Sequence, residues 1–296
     1  MASKRIAVVG IPGGWSSEKL KEAFLEEGAE AFLVPYDAIA ASLPSLKVRL
    51  GSEDALSIDA VVVKKLGDSS DITLTERVAQ LKAIQSLGTP VFSPPEAIEA
   101  AIDRMRMTLR LALAGVPMPK TLITERSEDV LNFLREVQEA VIKPLFTSKA
   151  RGMLRVGLGK PEAEKGALEA WKQTHGPFFY VQEFIPAKGM RDIGVMFLGG
   201  EFLKAYARVA KEGSWKTTTI EGGHYEPYDL PGPAFEVAKQ AERVFGLSYA
   251  GVDLVEGPDG FLVYEVSAFG GFRGLHEAYG LNAARLFAGY VLRSLA

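Results

Sequence analysis

The chain of 296 residues contains no cysteine. Disulfides, thiolate metal sites and cysteine nucleophiles are therefore excluded. Histidine is scarce: His175, His224 and His276 are scattered, without the spacing of a zinc site or an arguable Ser-His-Asp arrangement. Basic charge is not in excess. Thirty-four Lys and Arg against 37 Asp and Glu give a net charge of −3 and a pI near 5.8, which argues against a nucleic-acid partner. No apolar run approaches a membrane span, and the one in MASKRIAVVGI is too brief for a signal-peptide core. These absences give the expectation of a cytoplasmic protein with no membrane or nucleic-acid partner. Familiar nucleotide signatures are missing too. The loop Gly10-Ile11-Pro12-Gly13-Gly14-Trp15 suits either an anion at a helix N-terminus or a plain tight turn. It lacks the G-x-G-x-x-G spacing, and no Walker sequence occurs.

What is present is ordinary for a globular protein with a large core, 47% apolar and 24% charged, and long enough for about two domains. Apolar runs at Ile6–Val9, Ala31–Val34 and Ala60–Lys64 alternate with helical spacings at Leu20, Ala23, Phe24 and Val78, Leu81, Ile84. That alternation predicts a mostly parallel α/β layer over roughly the first 95 residues. Pro94-Pro95 interrupts it. Helices are then expected from Pro95 to Ile102 and on to Ala114, with Gly115 and Pro117 as stops. The remainder reads as α+β, with strands at Thr121–Thr124, Ala140–Lys143, Phe179–Phe184, Asp192–Leu198 and Glu201–Val209. A tight turn at Gly199-Gly200 makes the last pair antiparallel. Helices follow at Phe235–Phe245 and Asn282–Leu295.

The segment AGVDLVEGPDGFLVYEVS carries the clearest chemistry. Read as a three-residue loop, Pro258 to Gly260 with a Gly bulge, it places Gly257 opposite Phe261 and hence Asp253 opposite Glu265. Ser267 falls on the same side. Opposed carboxylates repel unless a divalent cation lies between them, and oxygen donors of this kind suit magnesium. A register off by one would instead split the acids between two faces.

Cations cluster elsewhere. Lys143 ends an apolar strand and is followed by TSKARGM, whose Ser148, Lys149 and Arg151 could cover a phosphate; Lys143 could equally be a snorkelling edge residue. Arg208 stands in a strand of apolar and small residues, where a guanidinium needs an anion. It is either a clamp on a transferring phosphoryl group or a salt-bridge partner of Asp253 or Glu265.

In chain order, IKPLFTSKARGM, VQEFIP, GMRDIGVMFLGG, AYARVA, SWKTTTIEGG and AGVDLVEG…FLVYEVSAFGGFRGL resemble the ATP-grasp superfamily, and within it the RimK-type amino-acid ligases. The resemblance runs from about Ile102 to the end. It implies an ATP-grasp fold behind an N-terminal pre-grasp parallel α/β domain, divided as 1–100, 101–186 and 187–296, with ATP between the last two parts. Position by position, it implies that Lys143 lies near the adenine and α-phosphate, with Arg104, Ser148 and Lys149 on the phosphate side. Gln182, Glu183, Phe184 and Ile185 form the adenine hinge, and Asp192 meets a ribose hydroxyl. Arg208, aided by Lys216, faces the γ-phosphate, while Asp253, Glu265 and Ser267 hold Mg2+.

The implied reaction is phosphorylation of a carboxylate by ATP, then attack by an amine, with ADP and phosphate released. The substrates would be a small-molecule or peptide carboxylate and an amino acid such as glutamate; a homodimer is common in the family. Departures from the family pattern are Ser267 for an asparagine, Thr147 and Ala150 for glycines, Gly194 for an arginine, Thr218 for an asparagine and Arg104 for a lysine. They keep two alternatives in view: a nucleotide-binding regulatory protein with a degenerate site, and an ATP-grasp kinase that stops at a phosphorylated product.

Overall fold

Runs of Val, Ile and Ala without polar interruption suit strands covered on both faces. In the computed structural model, which describes residues 3–67, 73–147 and 150–296, such runs build the first sheet. Strand β1 (Arg5–Gly10) leads through helix α1 (Trp15–Glu26) to β2 (Glu30–Pro35). A small antiparallel sheet of β3 (Ile39–Ser42), β4 (Lys47–Leu50) and β5 (Glu53–Asp54) follows; the sequence reading passed over it. Next come β6 (Ala60–Val63), α2 (Leu74–Ser86) and β7 (Val91–Phe92), completing a parallel sheet of order β2-β1-β6-β7. Helices α3 (Pro95–Ile102) and α4 (Arg104–Leu113) are separated by Asp103. Its carboxylate accepts from the N–H groups of Met105 and Arg106, a cap that starts α4 at Arg104.

The second sheet is antiparallel. It contains β8 (Thr121–Thr124), β9 (Glu139–Lys143), β10 (Leu154–Gly157) and β11 (Phe179–Glu183), in the order β10-β9-β11-β8. Helices α5 (Ser127–Val137) and α6 (Lys165–His175) cover it, and Val130, Leu134, Ile142, Leu168 and Val181 form a core of their own.

The third sheet holds β12 (Arg191–Leu198), β13 (Glu201–Val209), β14 (His224–Pro227), β15 (Tyr249–Gly257) and β16 (Gly260–Ser267), ordered β14-β13-β12-β15-β16. Gly199 and Gly200, at φ +59° and +81°, make the β12–β13 turn as expected. Helices α7 (Gly232–Arg243), α8 (Arg273–Tyr279) and α9 (Ala283–Ser294) complete the chain. This sheet shares its cores with the first: Val9 and Val61 join Val252 and Val266 in one cluster, and Ile6 and Phe24 join Tyr206 and Phe287 in another. Lys64 adds a buried polar tie, donating to the Gly270 carbonyl with Nζ 3.9 Å from the centre of the Phe272 ring. Among the described residues no helix is long and apolar enough to cross a membrane.

Candidate active site

Asp253 pairs with Glu265 and Gly251 with Ser267, as counted from the sequence, but the turn is not the one assumed. Gly257 pairs with Gly260, so the loop has two residues, Pro258 and Asp259. Carried along the strands, that turn would set Asp253 opposite Tyr264. An irregularity in the ladder between Asp253 and Leu254 inserts Tyr264 as an extra residue and restores the Asp253–Glu265 pair. The bulge also turns Tyr264 toward the same cavity as the acids.

Arg208 lies on β13 opposite Asp192 on β12. Its Nε and Nη2 donate to the two Asp192 oxygens at 3.0 and 2.6 Å, and Nη2 reaches Asp253 Oδ2 at 2.8 Å. The salt bridge to Asp253 is the one expected from the sequence, and Asp192 is a further partner. Asp192, nominated for a ribose hydroxyl, has both oxygens engaged by the guanidinium. Burial alone would lower the Arg208 pKa, but Asp192 and then Asp253 outweigh it and hold the group firmly charged. Asp253 is pushed the other way, to about 6; burial is the main cause, with the Asp192 and Glu265 charges adding to it and Arg208 opposing.

A second polar chain comes from β9 and β11. Lys143 Nζ donates to Gln182 Oε1 at 2.5 Å. The Gln182 amide donates in turn to Thr121 Oγ1 at 3.1 Å and to the Tyr180 hydroxyl at 3.2 Å. Gln182 is 1% exposed, so its side chain holds Lys143 rather than facing the cavity freely. Lys143 Nζ also lies 4.9 Å from the centre of the Tyr264 ring. Burial, then the Arg104 charge, lowers the Lys143 pKa to about 7. Arg104 is buried too. It donates to the Pro144 carbonyl, to the Thr147 carbonyl at 3.0 Å and to Glu265 Oε2 at 3.4 Å, tying the segment after β9 to the acid hairpin.

At the end of β11 the Glu183 N–H donates to Lys120 O at 2.8 Å and the Phe184 N–H to Glu139 O at 3.0 Å. Both amides are spent on neighbouring carbonyls, and Phe184 and Ile185 follow the end of β11. The Arg155 guanidinium lies 3.8 Å over the Phe184 ring. Lys216 pairs with Glu221 at 2.9 Å.

Of the residues nominated from the sequence, Ser148 and Lys149 lie outside the described residues and Arg151 is exposed and does not line the cavity; the other twelve all line a single cavity of about 520 Å³, a usual size for a small-molecule site. Tyr264, Trp215, Tyr206 and Lys65 line it as well and were not nominated. The aromatic residues carried no signal, because their placement depends on the bulge and on cross-strand register. Trp15, with His276 and Arg273 packed on its ring, does not line the cavity.

Asp253, Glu265 and Ser267 offer hard oxygen donors on one face of β15 and β16, which fits Mg2+. Among the described residues no group of three or more His, Asp or Glu side chains is placed to hold a metal. Further ligands would have to come from phosphate or water.

A charged cleft lined by two antiparallel sheets behind a parallel α/β layer defines the ATP-grasp class of fold. ATP-grasp ligase PsnB, complexed with a phosphomimetic variant of its minimal precursor, Mg and ADP, superposes with a TM-score of 0.76 over 98% of each chain at 20% identity. Residues 101–291 match the RimK-like ATP-grasp domain, and the chain belongs to that family, whose named members are ligases forming C–N bonds. It is similar to the tetrahydromethanopterin:alpha-L-glutamate ligase of Methanosarcina acetivorans, at 27% identity over 95% of this chain and 96% of the relative. The enzyme of the same description from Methanocaldococcus jannaschii is 33% identical over 66% of this chain and 67% of its own.

Proposed function

We propose that this protein is an ATP-dependent carboxylate–amine ligase that works through an acyl phosphate. It would add an amino acid such as glutamate to a small molecule, a cofactor or a peptide end. The observation that carries the reading is the meeting, in one cavity, of three buried or half-buried cations (Arg104, Lys143 and Arg208) with the opposed acids Asp253 and Glu265. A polyphosphate answers that charge pattern: the cations neutralise its oxygens, while the acids would take up a bridging Mg2+ together with Ser267. Mg2+, when bound, would offset the charge that develops on the transferring phosphoryl group.

In this reading the base rests at Glu183–Ile185, where the chain leaves β11 after Glu183. Lys143, held by Gln182, meets the phosphates nearest the base. Arg208 stands at the far end, with Asp192 fixing its guanidinium plane rather than holding a ribose. Lys216 adds charge from the segment opposite. The substrate carboxylate attacks the γ-phosphorus, ADP leaves, and the amine displaces phosphate from the acyl carbon. We further propose the three-part division at residues 1–100, 101–186 and 187–296, and a cytoplasmic setting.

The test is ADP release from ATP with Mg2+, a panel of carboxylates and glutamate as amine, with the product weighed by mass spectrometry. A condensed product free of phosphate supports the ligase. A stable phosphorylated product would reassign it as a kinase, and no ADP release with any pair would count against catalysis.

A further inference from the structure

Tyr206 stands in the row of residues that crosses the third sheet at the acids. Gly194 on β12 pairs with Tyr206 on one side and Asp253 on the other, and Asp253 pairs with Glu265. Residues directly opposed in an antiparallel ladder project from the same face, so the row runs Tyr206, Gly194, Asp253, Glu265. The tyrosine ring fills the place that Gly194 leaves empty. A Cβ on Gly194 would lie 2.5 Å from Tyr206 Cζ and 2.8 Å from its hydroxyl oxygen. Gly274 on α8 closes the other side, where a Cβ would lie 2.6 Å from both Cε atoms. Two glycines thus clasp the phenol end and lay it over β12 toward Asp253.

The residue is 4% exposed and lines the cavity, yet its hydroxyl has no hydrogen-bond partner among the described residues. The hydroxyl opens to the cavity without a protein partner among the described residues, so it is available to a ligand there. Burial keeps it protonated: its pKa is raised well clear of the physiological range, against the opposing pull of Arg208. It is therefore a neutral donor. Arg208, two residues along the same strand, already divides its guanidinium between Asp192 and Asp253. A substrate anion arriving beside Asp253 needs a donor that is not so divided, and the phenol supplies one without adding charge.

Resting on the ligase reading above, we infer that Tyr206 contacts the acid substrate, its hydroxyl donating to one oxygen of the carboxylate that is activated. The other carboxylate oxygen attacks the γ-phosphorus. A C–O–P link forms, the bond to the β-phosphate oxygen breaks, and ADP leaves with the electron pair. The oxygen held by Tyr206 becomes the acyl carbonyl. When the amine adds to the carbon, that oxygen takes the negative charge in front of a donor already in place. Collapse then expels phosphate, and the amine proton passes to phosphate or solvent.

The experiment is calorimetric titration of acetate, succinate, L-glutamate and a glutamyl dipeptide into the full chain saturated with Mg2+ and the non-hydrolysable nucleotide AMPPNP. Wild type is expected to take at least one of these carboxylates. Tyr206→Phe keeps the ring in its clasp; it should bind the nucleotide within twofold of wild type and that carboxylate at least tenfold more weakly. Gly194→Ala should displace the ring and lose carboxylate affinity to a similar degree, and adding Tyr206→Phe to it should cost no more than a further factor of two. A purely structural ring would instead leave Tyr206→Phe at wild-type affinity for the carboxylate, which overturns the inference. Wild type that holds nucleotide but takes none of the four acids overturns it as well. Wild type that does not bind the nucleotide defeats the ligase reading itself.

Discussion

The sheet of β8–β11 packs on its own helices and keeps a separate core, whereas the sheet of β12–β16 shares two cores with the N-terminal parallel layer. The contacts between the two sheets' sides of the cleft mix polar and apolar groups, with Phe184 edge-on to Trp215 among the latter. Arg104 reaches the Pro144 and Thr147 carbonyls, and the Tyr264 hydroxyl donates to Ile185 O at 3.4 Å. The difference has a functional meaning. On the proposed function, the opposed acids sit on the well-anchored side, and the hinge and Lys143, which would open for a nucleotide and close over it, sit on the separately cored side.

Breaking the anchored side should have the largest effect. Glu265→Gln removes one of the two opposed carboxylates and is expected to cut ADP release by at least about a hundredfold. A variant that keeps wild-type turnover would remove Glu265 from the site. The contrast in anchoring can also be sharpened without mutation. Amides of β9 and β11 should exchange with solvent faster than those of β12 and β15 by about a hundredfold, roughly 2.7 kcal/mol in opening free energy. Equal protection in the two sheets, measured by hydrogen exchange, would contradict the division.

On the separately cored side, Gln182→Leu takes the acceptor from Lys143. Nucleotide affinity should fall about tenfold, the loss of one charge-assisted hydrogen bond's positioning, with turnover at saturation less affected. A larger loss in kcat than in KM would place Gln182 nearer the chemistry.

The smallest effect is a proton. Burial, then Arg104, sets the Lys143 pKa at about 7 instead of its usual 10.5. Between those values the unfolded chain carries a proton that the folded chain lacks, so this lysine makes stability rise with pH across that window. On the proposed function, phosphate beside Lys143 would restore the charge. ATP binding at about pH 8 should therefore take up a fraction of a proton, visible as a binding heat that changes with the ionisation enthalpy of the buffer. Lys143→Met should erase the buffer dependence; if the dependence persists, the proton goes elsewhere.

Much of this was legible because residue type and spacing constrain it. Buried runs announced the parallel layer, and Gly199-Gly200 announced its hairpin. The pairing of Asp253 with Glu265 was reached through two compensating departures: a two-residue turn where three were counted, and a bulge at Tyr264 that has no sequence signature. Pro258-Asp259-Gly260 is compatible with both turns, so local chemistry could not decide between them. Asp192 as the partner of Arg208 could not be seen either, because it rests on the β12–β13 register. The same register places Tyr206 over Gly194, and side-chain packing rather than backbone preference decides that contact. The small sheet of β3–β5 went unread because its strands are short and largely exposed.

The central claim is that the cavity holds ATP through Mg2+ shared between phosphate and the paired acids. Calorimetric titration with ATP, with Mg2+ and without it, tests this most directly. With only two carboxylates and a hydroxyl on the protein, Mg2+ alone should bind weakly. ATP with Mg2+ should bind near about 10 μM, roughly −7 kcal/mol, and Asp253→Asn should weaken that binding at least tenfold. ATP binding that is indifferent to both Mg2+ and Asp253, or no binding under either condition, would contradict it.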